Sequence, residues 1–281
     1  MRADLHSHSS ASDGTRPPAE VVRRAAAASL DAIAITDHDT VAGIAAAASA
    51  LPGGLMLVPG MELSCRRDGH SVHLLAYLFD PDHPELAAQT QAIRVSRIDR
   101  AREMVAKLAE LGTGVTWEQV TAIAGDGVIG RPHIARAMMA AGVIDSFDDA
   151  FTPEWIGPGG RAHAPRYALD PAQAVRVVRA AGGVCTLAHP FAQTRGWLVP
   201  EDLITELATV GLAGVEVAHP DHCEEERKRL AGLVAKLGLV ATGGSDDHGE
   251  LTGDRIGAES TGADAFERLI AGATGARVIT T

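Results

Sequence analysis

The segment Leu5-His6-Ser7-His8, followed by Ser12-Asp13-Gly14, begins the chain and decides how the rest is interpreted. Successive side chains of an extended segment point to opposite faces, so His6 and His8 project from the same side. Neutral imidazole is the commonest metal ligand in proteins near neutral pH. Asp13 follows within one short turn and offers a carboxylate oxygen. Taken alone, the pair fits a metal site and two surface histidines near a terminus equally well.

The residues after this segment predict a strand–helix–strand unit with parallel strands. Pro17-Pro18-Ala19-Glu20 has the form of a helix start, and that helix is expected to end near Ser29. Residues 31–36 then predict a buried strand. The motif Thr36-Asp37-His38-Asp39 stands at its end. Because ligands collect at the carboxyl ends of strands in α/β folds, this histidine between two aspartates is a candidate ligand.

Further apolar segments predict strands that also end near ligand-type side chains. Residues 55–64 predict a third strand that carries Glu62. Residues 70–78 predict a fourth, whose first half places His73 near the same edge of the sheet. Three later segments bring the expected number of strands to seven: residues 182–188, 214–218 and 239–244.

The candidate ligands at these strand ends are too numerous to be explained as ordinary core or surface residues. A single histidine at a strand end is more often a core or surface residue. Nine ionisable side chains at one face, however, would be very costly to bury without metal ions. Imidazole and carboxylate ligands without thiolate fit Zn, Mn or Fe. The candidates are His6, His8, Asp13, His38, Glu62, His73, His189, Asp246 and His248.

The middle third of the chain departs from this alternation and predicts a helical insertion. Residues 84–111 are helical in pattern, with no strand between them. Thr116 has the features of a helix N-cap, and Gly130-Arg131-Pro132-His133 opens another helix. Residues 153–165 are rich in glycine and proline, which predicts irregular structure. The expected domain limits are residues 1–80 and 165–281 for a barrel and residues 81–164 for a helical cap.

The composition limits the classes of function. A chain of 281 residues can form one large α/β domain or a domain with an insertion. Its net charge of −11 argues against binding to duplex DNA or to an anionic membrane, but metals in a cleft would still permit a nucleotide substrate. Cys65, Cys185 and Cys223 lack a Cys-x-x-Cys spacing, which favours a reduced interior. Residues 1–4 contain no apolar signal core, so we expect a cytoplasmic protein.

A series of motifs follows in order along nearly the whole chain: His6-x-His8, Ser12-Asp13-Gly14, Thr36-Asp37-His38-Asp39, Gly60-x-Glu62, His73, Ala188-His189-Pro190 and Gly244-Ser245-Asp246-x-His248. This series resembles the PHP superfamily, the polymerase and histidinol phosphatase group. It is most similar to the TrpH-like phosphoesterase branch, in which an aspartate replaces a histidine of the third site and a helical insertion follows the fourth strand. The resemblance implies an α/β fold, a distorted seven-stranded (β/α) barrel with a helical insertion domain, and a trinuclear metal centre.

The resemblance also implies how the ligands divide among three divalent metal ions, which would be Mn, Zn or Fe. Glu62 would bridge the first two ions, and Glu62, Asp246 and His189 are expected to be catalytic. Clustered ions acidify a bridging water to hydroxide, so no protein nucleophile is needed, and Ser7 and Cys65 are weak candidates for one. The implied sets are His6, His8, Glu62 and Asp246 for the first ion, Glu62, His73 and His189 for the second, and Asp13, His38 and His248 for the third.

The candidate substrate contacts are mainly basic residues near helix ends and loops. Arg131 lies just before a helix N terminus, where anions are favoured, although a solvent-facing arginine beside a capping His133 is an alternative interpretation. Arg166 stands where the related branch has a basic residue, and Arg195 follows the His189 loop. His222 completes the expected substrate contacts.

Four further side chains are expected near the same edge of the sheet. His219 or His222 could donate a proton to the leaving oxygen, although a structural or surface role fits them as well. Asp37 and Asp39 could orient His38 or another ligand.

The resemblance implies removal of the 3′-phosphate from nucleoside 3′,5′-bisphosphates, for example adenosine 3′,5′-bisphosphate to AMP and phosphate, by a metal-bridged hydroxide. It also implies trimming of short single-stranded oligonucleotides from the 5′ end. Histidinol phosphate or another small phosphomonoester is the alternative substrate. A non-catalytic metal-binding module is the alternative from another class. The expected partners are therefore small phosphorylated nucleotides, without a membrane or a stable duplex DNA complex.

Overall fold

A computed structural model describes residues 1–193 and 196–281 of the chain. The chain divides into two compact units, residues 1–89 with 168–281 and residues 90–167. These limits fall later than those expected from the sequence because one helix, α3 (Pro84–Glu110), runs continuously past residue 89. No helix of the described residues is long and apolar enough to cross a membrane.

The first unit is built on one eight-stranded sheet that curls into a nearly closed barrel. The strand order is β7-β6-β5-β4-β3-β2-β1-β8. The expectation of seven strands omitted β8, a two-residue strand that pairs antiparallel with β1. The strands are β1 Arg2–Asp4, β2 Ala32–Ile35, β3 Met56–Arg67, β4 His70–Tyr77, β5 Val184–Leu187, β6 Gly214–Ala218, β7 Val240–Gly243 and β8 Thr261–Gly262.

The two ends of the sheet meet through side-chain and backbone hydrogen bonds beyond the strands themselves. The Thr261 hydroxyl accepts a hydrogen bond from the Gly243 amide at 2.8 Å and donates one to the Gly243 carbonyl at 3.0 Å. The Asp246 amide donates to the His6 carbonyl at 2.9 Å. Ser7 and Asp247 form an isolated parallel bridge. The segment that follows β1 therefore lies beside the segment that follows β7.

Strand β4 runs against its neighbours and brings its first half to the edge where the other strands end. It pairs antiparallel with both β3 and β5, and Ser64 of β3 lies opposite His73. The Asp68-Gly69 turn joins β3 and β4, and both of its residues have positive φ, +51° and +84°. Two consecutive positive φ angles are typical of the tight hairpin that an Asp-Gly pair favours. The position predicted for His73 is thus explained by a hairpin.

Helices pack around this sheet with their apolar faces inward. α1 begins with proline in its first turn and buries Val21, Val22 and Ala25. The Asp170 carboxylate caps α6 by accepting hydrogen bonds from the amides of residues 172 and 173. The helices of this unit are α1 Pro18–Ala27, α2 Ile44–Ser49, α6 Pro171–Ala180, α7 Glu201–Thr209, α8 Glu224–Leu237 and α9 Ala263–Ile270.

The second unit is helical and has its own core. It contains most of α3 together with α4 (Trp117–Ala124), α5 (Arg131–Ala140) and a 3₁₀ helix at Asp148–Phe151. The predicted N-cap is present at Thr116, whose hydroxyl accepts from the Gln119 amide at 3.2 Å. Residues 153–165 form turns and bends, as their glycine and proline content predicts. The fully buried side chains of this core include Met104, Leu108, Ile134, Met138 and Ile156.

Candidate metal centre

The nine side chains that the sequence singles out as ligands meet at one edge of the barrel. They come from the ends of β1, β2, β5 and β7, from the middle of β3 and from the first half of β4. Glu62 lies among the histidines and is 1% exposed. Four groupings in this region are close enough to hold ions, and three of them consist of predicted ligands: His6 with His8, Glu62 and Asp246; His38 with Glu62 and His73; and Asp13 with His8, His38 and His248. The fourth joins His6 to Glu216 and His219.

The first grouping has the spacing of ligands around one ion. The Nε2 atoms of His6 and His8 lie 3.2 Å apart. The His6 atom lies 3.4 Å from Glu62 Oε2 and 3.1 Å from Asp246 Oδ1. The corresponding distances for the His8 atom are 3.1 and 3.3 Å. Ligands about 2.0–2.2 Å from one tetrahedral ion lie roughly 3.3–3.6 Å from one another. The implied first ligand set therefore fits a metal ion without rearrangement.

Glu62 connects this grouping to the histidines of the next strands. Its Oε1 atom lies 2.6 Å from His73 Nδ1 and 3.1 Å from His189 Nε2. Its Oε2 atom lies 3.2 Å from His38 Nδ1 and also faces His8. One carboxylate thus presents its two oxygens to different sets of imidazoles. This is the arrangement expected of a ligand that bridges two ions.

The third grouping surrounds Asp13 and includes one more residue than the sequence implied. Asp13 Oδ1 lies 3.4 Å from His248 Nε2, and Asp13 Oδ2 lies 3.6 Å from His38 Nε2. The Nδ1 atom of His8 lies 3.8 Å from Asp13 Oδ1. His8 therefore faces the first grouping with one ring nitrogen and the third with the other. The sequence had assigned it to the first alone.

The electrostatics of these groups show why they need positive charge. Burial lowers the pKa of His6, but the charges of Asp246, Glu216 and Glu62 outweigh it and raise this pKa well above its ordinary value. Burial likewise raises the pKa of Asp13, and the charges of His38 and His248 overcome it and lower this pKa. Charged imidazoles thus compensate the buried carboxylates. Divalent ions would replace those protons as the compensating charge.

Two buried atoms provide an independent test of fit. Among the described residues, His8 Nδ1 and Asp13 Oδ1 have no hydrogen-bond partner, although both are shielded from solvent. A buried polar atom without a partner costs folding free energy, and a bound ion that pairs with the atom removes this cost. Both atoms belong to the third grouping. The donor set and these two atoms therefore fit a resident metal ion.

The two weak candidates for a protein nucleophile have other roles. The Ser7 hydroxyl donates to the Ala34 carbonyl at 2.6 Å. The Cys65 thiol is buried and points to the Leu63 carbonyl at 3.7 Å. The first contact joins the segment after β1 to β2, and the second lies within β3. They favour a reaction without a covalent protein intermediate.

Asp37 and Asp39 both support the ligand-bearing backbone, although in a different way from the expected orientation of His38. Asp37 accepts hydrogen bonds from the amide and hydroxyl of Ser9 and from the hydroxyl of Ser12, each at 2.7 Å. It therefore fixes the turn that precedes Asp13. Asp39 accepts from the Ser64 amide and hydroxyl at 2.8 Å, which fixes β3 two residues after its metal-facing carboxylate.

His222 lies close to this site, but both of its ring nitrogens contact backbone. Its Nε2 accepts from the Phe191 amide at 3.2 Å, and its Nδ1 lies 3.1 Å from the Val217 carbonyl. Burial lowers its pKa, which suits the neutral form that these two contacts require. This arrangement favours a role in holding the loop after β5 over the substrate contact expected from the sequence.

The other expected substrate contacts lie in the helical unit or outside the described residues. Arg131 begins α5, and its guanidinium carbon lies 5.4 Å from the centre of the Phe151 ring. His133 Nδ1 accepts from the Gly130 amide at 2.9 Å, which is the capping role considered as an alternative. Arg166 donates to the Tyr167 carbonyl at 3.3 Å. Arg195 lies outside the described residues.

Sequence reasoning missed Glu216, a carboxylate that is 1% exposed on β6. It lies 3.1 Å from His6 Nδ1 and accepts a hydrogen bond from the His189 amide at 2.8 Å. A signal was present, because a single acid stands in the otherwise apolar segment Gly214-Val215-Glu216-Val217-Ala218. Buried carboxylates in apolar strands require a partner, and here the partners are two candidate ligands.

Comparisons with known proteins agree with this fold. The PHP domain family matches residues 4–112. A 5′-3′ exoribonuclease of Haemophilus influenzae is 34% identical over 248 residues, which cover 87% of this chain and 89% of that protein. A 3′,5′-nucleoside bisphosphate phosphatase of Chromobacterium violaceum is 34% identical over 254 residues, or 90% of this chain and 89% of that protein. The structure of a Bifidobacterium adolescentis protein, proposed to be a metal-dependent phosphoesterase, matches with a TM-score of 0.89 and 32% identity over 97% of this chain and 96% of that one.

The barrel, its edge of imidazoles and carboxylates, and these similarities define a metal-dependent phosphoesterase, a hydrolase that acts on phosphate esters. More particularly, the chain belongs to the PHP family. The resemblance drawn from the sequence motifs is thereby confirmed. So is the expectation of a barrel-type α/β fold, with the addition of the eighth strand.

Proposed function

We propose that this enzyme removes the 3′-phosphate of nucleoside 3′,5′-bisphosphates, converting adenosine 3′,5′-bisphosphate to AMP and phosphate. The observation that carries the proposal is the cluster of nine ligand-type side chains connected through Glu62. The choice of substrate is supported by the bisphosphate phosphatase of Chromobacterium violaceum, which is similar over 90% of this chain. A net charge of −11 also favours a small substrate over a long duplex.

Three divalent ions are the cofactors we propose, with Mn, Zn or Fe suited to imidazole and carboxylate ligands. When bound, they would lower the pKa of a water molecule and neutralise charge on phosphoryl oxygens. The residues proposed to hold them are His6, His8, Glu62 and Asp246 for the first; Glu62, His73 and His189 for the second; and Asp13, His38, His248 and the second nitrogen of His8 for the third.

The protein's own contribution is to hold these side chains in place and to supply catalytic groups. Glu62, Asp246 and His189 are the proposed catalytic residues. Glu62 faces imidazoles with both of its oxygens, Asp246 lies beside His6 and His8, and His189 Nε2 lies 3.1 Å from Glu62. Both Asp246 and His189 have positive φ, +50° and +29°. Such backbone conformations are unfavourable for residues other than glycine and persist only where surrounding contacts impose them.

Short single-stranded oligonucleotides are a second class of substrate that we propose for the same site. The support is the 5′-3′ exoribonuclease of Haemophilus influenzae, which is 34% identical to this chain. Such a substrate presents the same phosphate ester chemistry with more nucleotides attached. The two activities are separated by comparing bisphosphates with oligonucleotides.

A substrate panel tests these proposals directly. With Mn²⁺-loaded protein, we expect kcat/KM for adenosine 3′,5′-bisphosphate to exceed that for histidinol phosphate by about tenfold or more, because a site that binds two phosphates would leave polar groups unpaired with a substrate that carries one. Phosphate release gives the rates, and chromatography identifies AMP as the product. A short 5′-phosphorylated RNA tests trimming. A clear preference for histidinol phosphate would contradict the nucleotide proposal, and no metal-stimulated hydrolysis of any member would favour a non-catalytic module.

Arg131 and Arg166 remain our proposed phosphate contacts, together with Arg195 and His133. We expect Arg131→Ala to raise KM for the bisphosphate by roughly ten- to a hundredfold, because a charge-assisted hydrogen bond to phosphate contributes about 1.5–3 kcal/mol. Steady-state kinetics with Mn²⁺ measure the change. Arg136→Ala on the same helix is the control and should leave KM near its wild-type value. An equal increase of KM in both variants would show that Arg131 only stabilises the helix and does not contact the phosphate.

We also propose a cytoplasmic location. Its support is the chemistry of Cys65, Cys185 and Cys223, which form no disulfide among the described residues. Burial raises the pKa of the Cys185 thiol well above its ordinary value, so this group stays protonated and unreactive. Three cysteines without a disulfide are typical of a reducing compartment.

A further inference from the structure

The buried Glu216 carboxylate contacts two of the histidines assigned to the metal centre. Its Oε1 and Oε2 atoms lie 3.1 and 3.4 Å from His6 Nδ1. Its Oε2 atom also accepts a hydrogen bond from the backbone amide of His189 at 2.8 Å. His6 follows β1 and His189 follows β5, so one side chain on β6 connects two ligand-bearing segments that are distant in sequence.

The contact with His6 fixes which ring nitrogen is available to a metal. A carboxylate accepts hydrogen bonds, so Nδ1 of His6 must carry a proton to pair with Glu216. In the neutral ring, Nε2 then holds the free electron pair, and this is the atom that faces His8 and Asp246. The carboxylate thereby selects the tautomer and the ring orientation that the first ligand set requires.

The contact with His189 supports a backbone conformation that the chain would otherwise avoid. His189 has a φ of +29°, outside the ordinary range for residues other than glycine. The hydrogen bond from its amide to Glu216 compensates part of this strain. The same turn directs His189 Nε2 to Glu62 at 3.1 Å. Without the carboxylate, both the amide and the direction of the ring would lose their support.

The backbone around Glu216 is shaped to admit it. Gly244 lies so close that a Cβ atom there would be 2.5 Å from His6 Cβ and 3.1 Å from Glu216 Oε1. The end of β7 can therefore pack against this pair only with glycine at position 244. The close approach leaves little room for His6 or Glu216 to take up another orientation.

An alternative role for Glu216 is direct metal binding with His6 and His219, since the three could surround an ion. The distances favour positioning. His6 Nδ1 lies at hydrogen-bond distance from Glu216, whereas His219 Nε2 lies 4.0 Å from it. His219 Nδ1 accepts from the Asp221 amide at 3.0 Å, so in the neutral ring Nε2 carries the proton and is directed to Asp246 Oδ2 at 3.4 Å.

We infer that Glu216 is a positioning residue of the metal centre, which holds His6 in its Nε2-binding tautomer and holds the His189 turn. This inference rests on the proposed metal centre and deepens it. It names a residue that acts through ligands without binding the ion or the substrate.

The test is metal binding by Glu216→Ala and Glu216→Gln in the full-length protein. We expect Glu216→Ala to weaken Mn²⁺ binding by roughly ten- to a hundredfold in calorimetric titration, with an unchanged number of ions bound at saturation. Glu216→Gln should fall between wild type and alanine, because its amide nitrogen is a donor and would face the His6 Nδ1 proton or the His189 amide where the wild type presents an accepting oxygen. In Zn²⁺-loaded protein, the slowly exchanging Nδ1 proton of His6 should be seen by NMR in wild type and lost in Glu216→Ala.

Glu225→Ala and Glu225→Gln, which change an exposed glutamate on α8, are the matched controls and should bind Mn²⁺ as wild type does. Loss of one whole ion in either Glu216 variant would overturn the inference, because it would make Glu216 a ligand. Affinity within twofold of wild type in both variants, or a retained His6 proton signal, would also overturn it. If wild type binds Mn²⁺ but does not hydrolyse the bisphosphate, the proposed substrate fails and the effect of Glu216 on affinity still decides this inference.

Discussion

Glu62→Ala is expected to lower kcat/KM for adenosine 3′,5′-bisphosphate by about a thousandfold or more. The two oxygens of this carboxylate face His73 and His189 on one side and His8 and His38 on the other, so its removal disrupts more than one ligand set. A thousandfold corresponds to about 4 kcal/mol of transition-state stabilisation. Hydrolysis at saturating Mn²⁺ and the number of ions bound per chain are the measurements.

The control for this prediction is Glu225→Ala, which removes an exposed carboxylate from the same unit and should keep wild-type kinetics. Circular dichroism establishes whether each variant is folded. A folded Glu62→Ala protein that binds as many ions as wild type and still hydrolyses the bisphosphate would contradict the assigned centre. Loss of ions with retained hydrolysis would instead show that the reaction occurs elsewhere on the protein.

Most of the candidate ligands were accessible from the sequence because they follow strand ends, where position in the chain predicts position in space. His38 stands directly after an apolar strand, and His189 does the same in the second half of the chain. In a barrel, such ends share one edge, so spacing alone brings them together. The structure places all of these candidates within contact of Glu62 or of its neighbours.

The supporting residues were harder to predict, because their roles depend on contacts between distant segments. Asp37 was expected to orient His38 or another ligand, and in the structure it holds the turn before Asp13, more than twenty residues earlier, through the amide of Ser9. Glu216 acts on His6 across more than two hundred residues. A buried acid in an apolar strand signals that a partner exists. Its identity follows only from the closure of the barrel.

Two features of the fold also escaped prediction for physical reasons. Strand β8 has two residues, too few to show alternation, and its bond to β7 uses the Thr261 side chain. The start of helix α2 at Ile44 is another, because residues 42 and 43 form a turn in which Gly43 packs against Asp37. A Cβ at that glycine would lie 2.7 Å from an Asp37 oxygen. Both differences arise from tertiary contacts.

The titration of His8 predicts how the metal-free protein responds to pH. Burial lowers the pKa of this imidazole, but the carboxylates of Asp246 and Glu62 outweigh it and raise the pKa to about 10 from an ordinary value of 6.5. The folded protein therefore holds this proton more tightly than the unfolded chain. The resulting stabilisation is complete below about pH 6.5 and is lost as the pH rises through 10. Asp246 and Glu62 have lowered pKa values, so their contribution is lost only in acid.

We accordingly expect the Tm of metal-free protein to fall between pH 6.5 and 8.5, while the increase in Tm on adding Mn²⁺ grows over the same range. The increase grows because bound metal requires deprotonated imidazoles, and releasing a proton to solvent costs less free energy at higher pH. Differential scanning calorimetry with and without Mn²⁺, after chelation, measures both trends. His8→Gln cannot titrate and should flatten the slope of the metal-free protein, whereas His70→Gln, at an exposed position, should preserve it. Two results would contradict this prediction: a metal-free protein whose Tm rises towards pH 8.5, or equal slopes of Tm against pH in wild type and His8→Gln. Either result would show that carboxylate repulsion at this edge is relieved without the His8 proton.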